Sequence, residues 1–362
     1  MRPSRRAIVW LTTTILASVL VTKPLHAFQI LPNKTPNDSR LANLAGLVAR
    51  VSQRASDRFL GVLKAPVHEA IAQAAFGCVK DEPMDCVGDT LASPAVIWGV
   101  RWNDDPPFRM KPGRAACKYE QTIRANTQPW CWYQLFTHAE RLAANGETFG
   151  PGDALLYRTH FGDLQVLHAM APADGESANT TKALIMMWAE FTWKLATDTL
   201  RRDLYIRTLG VNALATYFPG DQSASILFSL GYPAYQNEKV SEVALGSLLH
   251  LVQDSFSRAH VTRADPTGSD CSDLPSVRAP GMITQFHSYA HQNHSIHNAA
   301  DRPDALRTHI LEDAPTVIDV SRTIVQLWQR KAGWLDVKQY LDCVFTIAPS
   351  AQDAGPGEGF QR

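Results

Sequence analysis

Residues 240–260 read VSEVALGSLLHLVQDSFSRAH, and this stretch decides the fold class. Its apolar residues recur at three- and four-residue spacing, which predicts a buried helix. His250 and Asp254 lie four residues apart and therefore share one face of that helix. His260 lies ten residues after His250, which is about 15 Å along a straight helix, so one metal ion cannot bind all three side chains. Either the helix ends or bends before His260, or His260 serves a second metal ion.

Four further histidines are concentrated in residues 286–301, FHSYAHQNHSIHNAAD. His297 and Asp301 repeat the spacing of His250 and Asp254, so they also share a helix face. Imidazole nitrogens and carboxylate oxygens are the ligands that Zn²⁺ accepts outside thiolate sites. Two such pairs in one chain indicate a metal centre more strongly than either pair alone.

The upstream half of the chain adds three more stretches with metal-capable side chains. VHEAIAQAA, WNDDPP and THFGDLQVLHAM contribute His68, Asp104, Asp105, His160, Asp163 and His168. Each stretch also has an ordinary structural interpretation: a histidine at a helix start, an Asp-Pro turn, and a loop histidine bonded to the backbone. Taken singly, none of them predicts a metal site.

The N-terminus has the pattern of an export signal. Basic residues within 1–6 precede the apolar stretch 7–21, and Ala27 offers a cleavage point. The paired Arg5 and Arg6 also fit a twin-arginine signal. The apolar stretch is too short and too rich in threonine to predict a membrane span. The sequence therefore predicts an exported protein, periplasmic or secreted, with no transmembrane segment in the mature chain.

Charge and cysteine content narrow the class of protein. Basic and acidic residues balance at 35 each, and removal of the basic signal leaves a mildly acidic chain. Such a chain lacks the electrostatic footprint of a general nucleic-acid binder. The six cysteines are even in number, so in an oxidising compartment they predict disulfides. The simplest pairing, which the sequence leaves open, is Cys78–Cys86, Cys117–Cys131 and Cys271–Cys343.

Helical periodicity dominates the rest of the chain. Besides the central stretch, it marks residues 40–63, 68–76, 181–218 and 314–345. Loops rich in Gly, Pro and Asp are predicted at 101–115, 145–153 and 262–281, and no hairpin signal is present. We therefore predict an all-α protein with a single multi-helical domain at residues 28–348. A signal peptide, residues 1–27, precedes this domain, and a disordered tail, residues 349–362, follows it.

The order of the metal-capable stretches, H…D…HFxD…HxxxDxxxxxH…HxxxD, resembles the zinc-dependent phospholipase C and single-strand nuclease superfamily. Members of that superfamily are all-helical and hold three zinc ions in a cleft. The resemblance runs from residue 68 to residue 301 and is carried mainly by HFGD at 160–163 and LHLVQDSFSRAH at 249–260. It implies Zn²⁺ as the cofactor, with two or three ions. The metal ligands it implies are His68, Asp104, His160, His250, Asp254, His260, His297 and Asp301.

The resemblance also implies how these ligands are shared among the ions. One ion would bind Asp104, His160, His250 and Asp254. A second would bind His260, His297 and Asp301, while Asp254 would bridge to a third ion at His68. Asp104 and Asp254 would take part in catalysis. Two alternatives stay open: His287 and His291 in place of His297 and Asp301, and Asp105 in place of Asp104.

The activity that the resemblance implies is phosphodiester hydrolysis by a zinc-activated water. The motifs FHS at 286–288 and QDSFSRAH at 253–260 look more like bacterial phospholipases than the nucleases, whose motif commonly runs GDxHQPLH. We therefore expect hydrolysis of phosphatidylcholine to diacylglycerol and phosphocholine at a membrane surface. The alternatives are a non-catalytic periplasmic zinc-binding protein and a single-strand nuclease. A nuclease would stack nucleic-acid bases on aromatic side chains, for which the candidates are Trp102, Trp130, Trp132 and Tyr133.

One departure from the family concerns the third ion. In the family, a tryptophan at the mature N-terminus binds that zinc through its amine and carbonyl oxygen. Here the predicted mature chain begins at Phe28, about forty residues before His68, with no tryptophan between them. We therefore expect His68 to lie beside Asp254 in a third site that lacks part of the family's ligand set and holds its ion weakly.

Overall fold

A computed structural model describes residues 66–110, 117–118, 121–231, 239–271, 274–312 and 315–362 of the chain. The predicted signal peptide and the periodic segment at 40–63 lie outside the described residues. The described part is mostly helical. Its α-helices are α1 Val67–Ala75, α2 Pro94–Val100, α3 Pro129–Ala144, α4 Leu155–Phe161, α5 Ala178–Ala196, α6 Leu214–Tyr217, α7 Ala224–Ser229, α8 Val240–Asp254, α9 His294–Ala300, α10 Pro303–Glu312, α11 Val317–Gln329 and α12 Trp334–Val344. Three 3₁₀ helices occupy Pro83–Gly88, Gln165–His168 and Ile206–Thr208.

Helix α8 is the central helix, and it packs most extensively against α2 and α5. All but two of its fifteen residues are buried, which agrees with the apolar periodicity of the sequence. Two glycines set its distance from α2. A Cβ atom on Gly246 would lie 2.2 Å from the Val96 carbonyl oxygen, and one on Gly99 would lie 2.0 Å from the Val243 oxygen. Only glycine permits this close approach, which brings the last turn of α8 against the segment that follows α2.

Two helical predictions are divided in the structure. In the segment predicted at 181–218 the long helix α5 ends at Ala196, because Asp198 takes a left-handed backbone (φ 54°), and only the short helices Ile206–Thr208 and α6 follow. The segment predicted at 314–345 forms α11 and α12, separated by Lys331 (φ 53°) and by the extended Gly333 before α12. Helical periodicity on both sides of a break cannot show where the backbone leaves the helical region.

Four short strands add to the helices, which the all-α prediction did not include. They are β1 Val261–Arg263, β2 Asp270–Cys271, β3 Leu274–Arg278 and β4 Ile283–Phe286. β1 pairs with β4 and β2 with β3, both antiparallel and both with an irregular register. Strands of two to five residues are too short to show an alternating pattern, so the sequence predicted a loop at 262–281 in place of these strands.

The C-terminal residues 349–362 do not match the prediction of a disordered tail. They lie against the body of the protein through backbone hydrogen bonds, among them Gly175 N to Ala354 O and Asn293 N to Phe360 O. Gly357 takes a left-handed backbone (φ 85°), and a Cβ atom there would lie 2.3 Å from the His287 ring. The polar composition suggested disorder, but backbone groups that pair with other segments need no apolar side chains.

The three disulfides predicted from the cysteine spacing are present: Cys78–Cys86, Cys117–Cys131 and Cys271–Cys343. The last one ties β2 to α12 across 72 residues of sequence. Disulfides are typical of proteins in oxidising compartments, and they are compatible with the predicted export. Within the described residues, no helix is both long and apolar enough to cross a bilayer.

Candidate metal centre

The predicted ligands come together around the C-terminal end of α8. They fall into three groups that we call sites A, B and C. Site A consists of Asp104, His168, His250 and Asp254. Site B consists of His260, His297 and Asp301, and site C consists of His68 with the second carboxylate oxygen of Asp254. In each of sites A and B, at least three side chains bring one ligand atom within 4.8 Å of the others, so the clusters could hold metal ions.

Site A has the dimensions of a single-ion site. His168 Nδ1 lies 2.8 Å from Asp254 Oδ2 and 3.0 Å from His250 Nε2, which is itself 3.0 Å from Asp254 Oδ2. Asp104 Oδ1 completes the group at 3.7 Å from His168 Nδ1 and 4.0 Å from His250 Nε2. Two atoms that each lie about 2.0–2.2 Å from one zinc ion cannot be more than about 4.4 Å apart. All five distances meet this limit.

Hydrogen bonds fix the tautomers of both site A histidines. A carbonyl oxygen can only accept, so His250 Nδ1, 2.6 Å from Val100 O, carries a proton. By the same reasoning His168 Nε2, 3.2 Å from Asn103 O, carries a proton. Neutral imidazole holds one proton, so His250 Nε2 and His168 Nδ1 face each other with lone pairs. Metal-binding histidines use this arrangement, donating one ring N–H to the protein and presenting the other nitrogen to the ion.

Site B repeats the arrangement. His260 Nδ1 donates to the His168 carbonyl oxygen (2.8 Å), and His297 Nδ1 donates to Gln292 Oε1 (2.6 Å). The two Nε2 atoms then face each other at 3.3 Å, and Asp301 Oδ2 lies 3.3 Å from His297 Nε2. The other Asp301 oxygen accepts a hydrogen bond from Ser257 Oγ. Three acceptor atoms therefore converge in a buried space, which is the geometry of a cation site.

The end of α8 explains how His260 reaches site B. The helix ends at Asp254, and the next residues form turns in which Ser257 O accepts from the backbone N–H groups of His260 and Val261. The turn brings His260 back to within 3.5 Å of Asp254 Oδ2. Both of the alternatives that the sequence posed for His260 thus hold: the helix ends before it, and it joins a second cluster.

Site C lies between α1 and α8. His68 Nδ1 is 2.6 Å from Gln253 Oε1, and His68 Nε2 is 3.3 Å from Asp254 Oδ1. The His68 ring stacks on the His250 ring, with centroids 4.0 Å apart. Asp254 thus directs one oxygen to site A and the other to His68, the bridging position that the resemblance implies. The segment before residue 66 lies outside the described residues.

His168 is the site residue that the predicted ligand set omitted. The set named His160, which lies on α4 at the rim, half-buried, with Nδ1 3.1 Å from Leu156 O. His160 shares a group only with Asp104 and His168, whereas His168 also joins His250 and Asp254. The available signal was the second histidine of THFGDLQVLHAM, which follows apolar residues and ends a buried 3₁₀ turn. The resemblance to the family's HFxD motif pointed instead to His160, the first histidine of this stretch.

The alternative ligands have other partners. Asp105 accepts from Arg124 Nε (3.0 Å) and from Ala125 N (2.9 Å), so its carboxylate is committed to a buried ion pair. His287 is bonded at both nitrogens, to Ala259 O and Thr262 Oγ. His291 is exposed and lies 2.6 Å from Asp174 Oδ2. The geometry therefore favours Asp104, His297 and Asp301 over these alternatives.

Burial makes the charges of the cluster costly without a cation. It lowers the pKa of His250 to about 3 and that of His260 to about 4, so both rings are neutral near pH 7. It raises the pKa of Asp104 and Asp301 well above the usual range. Burial also acts to raise the pKa of Asp254, but the surrounding histidines outweigh it and hold this pKa well below the usual range.

Three carboxylate oxygens of the cluster lack a hydrogen-bond donor among the described residues. They are Asp104 Oδ2, Asp254 Oδ1 and Asp301 Oδ2, all fully buried. An unpaired buried carboxylate costs several kcal/mol, so groups of this kind are expected to coordinate metals or bind protons. The donor set of imidazole nitrogens and carboxylate oxygens fits zinc.

A small cavity connects sites A and B. Its lining includes His168 from site A, His260 and His297 from site B, and the aromatic side chains of Phe136 and Tyr289. Its volume is about 20 Å³, and roughly 10–15 Å³ suffices for one water molecule. The cavity can hold a water between the two clusters but has no room for a larger molecule.

The aromatic side chains near the loop ligands divide into two kinds. Trp102 and Trp132 are fully buried in the core, so they cannot stack on a nucleic-acid base. Trp130 is 47 % exposed and stacks on Tyr133 with centroids 5.9 Å apart. Two of the four aromatic candidates are therefore structural.

Comparison with known proteins gives no match: no family model, curated protein or solved structure corresponds to this chain. The interpretation of the centre rests on its geometry and on the resemblance of its motifs.

Proposed function

We propose that the chain is an exported zinc-dependent phosphodiesterase, and that its substrate is a phospholipid of the phosphatidylcholine type. The observation that carries this proposal is the convergence of lone pairs in site A and site B. In both, the second nitrogen of each histidine donates to an oxygen of the protein, so in the neutral ring the facing nitrogen is an acceptor. Sites A and B border one cavity, and Asp254 is shared by sites A and C. Adjacent sites of this kind support a catalytic centre more than a single structural ion.

The side chains of the centre would have distinct roles. Asp254 and Asp104 would hold the negative charge that offsets the cations, and the seven imidazole and carboxylate groups of sites A and B would hold the ions. Bound zinc supplies Lewis acidity and lowers the pKa of a water toward neutrality. The cavity between His168 and His260 is the place for that water. No side-chain nucleophile is required.

Access to the centre needs movement of its outer wall. The cavity is narrow, Phe136, Met170 and Tyr289 are among its lining residues, and every site A and site B side chain is buried. A phosphodiester group is larger than the cavity, so Phe136 and Tyr289 would have to shift to admit it. His160 lies at this rim and would be the first polar side chain that the phosphate meets.

Phospholipid is favoured over nucleic acid for two reasons. The chain has no excess of basic residues, which nucleic-acid binding usually requires. Trp102 and Trp132 are buried, which removes half of the candidate base-stacking surface. The motifs FHS and QDSFSRAH add a resemblance to the bacterial phospholipases.

The proposal is tested with one zinc-loaded sample offered phosphatidylcholine vesicles and single-stranded DNA side by side. We expect diacylglycerol and phosphocholine from the vesicles and no cleavage of the DNA. Asp254→Asn should reduce turnover by roughly 100-fold or more, because an amide cannot neutralise two cations. Asp336→Asn, an exposed aspartate on α12, is the matched control. Cleavage of the DNA but not of the vesicles would show that the substrate is single-stranded nucleic acid. Near-normal turnover of Asp254→Asn would contradict the proposed catalytic metal centre.

The small volume of the cavity also favours a second candidate, a non-catalytic zinc-binding protein. A centre with about 20 Å³ of free space needs no substrate path if its ions are structural. This candidate predicts stoichiometric zinc with no hydrolysis of either substrate. Zinc content and phosphodiesterase activity measured on the same sample separate the two.

A further inference from the structure

Gln292 joins site B to the C-terminal segment of the chain. It is fully buried, and its Nε2 donates to two backbone carbonyl oxygens, Ala259 O at 2.7 Å and Pro356 O at 2.8 Å. Its Oε1 accepts from His297 Nδ1 at 2.6 Å. These are the contacts of an amide whose donors and acceptor are all in use.

The two orientations of this amide, which differ by an exchange of Oε1 and Nε2, are not equivalent. If it were flipped, Oε1 would face two carbonyl oxygens, which cannot donate, and Nε2 would face the proton of His297 Nδ1. The two carbonyls therefore fix the position of Oε1, and Oε1 fixes the tautomer of His297. The Nε2 atom of His297 is thereby presented to His260 and Asp301 as an acceptor.

The C-terminal segment, residues 354–362, is held in place independently of site B. Ala354 N donates to Glu176 O, and its own carbonyl oxygen accepts from Gly175 N. Gly355 O accepts from Ser288 N, and Arg362 N donates to His291 O. Pro356 thus reaches Gln292 from a segment with fixed contacts on both sides.

We propose that Gln292 is a positioning residue for site B and that residues 354–362 are an integral part of that site's support. Displacing the segment would weaken metal binding at site B and leave site A loaded. The reason for the selectivity is that the site A histidines are oriented by Val100 O and Asn103 O, which lie beside α2 and away from the segment. The inference rests on the metal centre of the proposed function but not on its substrate.

The first experiment replaces Gln292 by leucine in the full-length protein. Cadmium-113 NMR of the cadmium-loaded protein resolves the sites, and titration against a chelator gives each affinity. Loss of an outer partner of a metal ligand typically weakens binding 10–100-fold, and we expect about that loss at site B only. Gln253→Leu is the counterpart, because Gln253 Oε1 accepts from His68 Nδ1, so it should weaken site C and spare site B.

The second experiment moves the segment without touching any ligand or Gln292. In Gly357→Ala the new Cβ would lie 2.3–2.6 Å from the ring of buried His287, so the segment has to shift. Gly359→Ala is the matched control: its φ of 80° imposes the same backbone strain, but its Cβ meets nothing within 4 Å. We expect Gly357→Ala to reproduce the site B loss and Gly359→Ala to bind cadmium like the wild type.

The outcomes separate this inference from the proposed function. Retained site A occupancy in a variant shows that it is folded, so a selective loss at site B supports the inference. Equal losses at sites A and B, or no loss at site B in Gln292→Leu, would overturn it. If the wild type binds metal at both sites but hydrolyses nothing, the proposed function fails and the inference stands. If the wild type binds no metal, both fail.

Discussion

At the scale of single residues, we infer an exchange of roles between two histidines that both lie within ligand reach of Asp104. His168 contributes Nδ1 to the centre of site A, whereas His160 stands at the rim. His168→Ala should therefore remove one tightly held zinc ion and most activity, while His160→Ala should keep the zinc content and impair turnover less. Zinc content after gel filtration, measured on both variants, tests the exchange. Loss of zinc from His160→Ala with full retention in His168→Ala would restore the assignment based on the HFxD motif.

The same comparison shows why spacing arguments stop short of a full ligand set. Helical spacing correctly paired His250 with Asp254 and His297 with Asp301, because both pairs lie on or next to one helix. His168 approaches site A from a 3₁₀ turn, and no local pattern relates it to a residue 82 positions away. Contacts of that kind are set by how the helices pack, which the sequence pattern does not encode.

A second residue-scale prediction concerns pH. Burial lowers the pKa of His287 from 6.5 to about 4, opposed only in part by its bond to Ala259 O. Between these two values the unfolded state binds more protons than the folded state. The free energy of unfolding should therefore be level above about pH 6.5 and fall as the pH drops toward 4, by up to about 3 kcal/mol from this group.

Chemical denaturation of the wild type and of His287→Asn from pH 7 to pH 4 isolates this contribution. His250 and His260 titrate in both proteins, so their effects cancel in the difference between the two curves. The wild type should lose more stability than His287→Asn as the pH falls. Parallel curves would mean that His287 is not buried as a neutral ring.

At the scale of elements, the site depends on the close crossing of α2 and α8. Gly246→Ala would place a methyl group 2.2 Å from the Val96 carbonyl oxygen, a backbone atom that cannot turn away. The helices have to separate, and overpacking of this kind costs about 1–3 kcal/mol or more. The bond from His250 Nδ1 to Val100 O spans the same crossing, so zinc affinity at site A should fall together with stability.

Gly220→Ala is the control for this prediction, because its Cβ would meet nothing within 4 Å and its φ is not in the left-handed region. Thermal unfolding and zinc titration of both variants are the measurements. If Gly246→Ala were as stable as Gly220→Ala, the crossing of α2 and α8 would accommodate a methyl group without loss of stability, and the prediction would be wrong.

The elements also mark how far the sequence could predict the fold. The periodic residues 68–76 predicted α1 within one residue, and the periodic residues 242–256 predicted α8 within two, because the apolar periodicity is continuous and both helices are buried. The strand pairs were not, since two to five residues carry no periodic signal and their pairing is fixed by distant partners such as the disulfide from Cys271 to Cys343. The C-terminal segment was misjudged for the same reason: its order comes from backbone bonds to residues 175, 176 and 287–293.

At the scale of the whole molecule, the centre links segments that are distant in sequence. Its ligands come from α1, from the turn after α2, from the 3₁₀ turn at 165–168, from α8 and the turn after it, and from α9 and the residue after it, so bound ions would cross-link five parts of the fold. A site that exists only in the folded state adds its binding free energy to the free energy of unfolding. At a free metal concentration near 1,000 times Kd, this amounts to about 4 kcal/mol for each ion.

Chelation of the two tightly held zinc ions, about 8 kcal/mol together, should therefore lower the melting temperature by roughly 12–16 °C, since about 1 kcal/mol corresponds to roughly 1.5–2 °C for a chain of this size. The disulfides remain closed under a chelator, so the fall reports the ions alone. Addition of Zn²⁺ should restore the melting temperature, and Mg²⁺ should not, because magnesium prefers all-oxygen sites. The ion at site C, to which we assign His68 and the second oxygen of Asp254 as ligands, should leave first, at chelator concentrations that do not change the melting temperature. An unchanged melting temperature after complete zinc removal would contradict a centre that spans the fold, and simultaneous loss of three equally tight ions would contradict the weak third site.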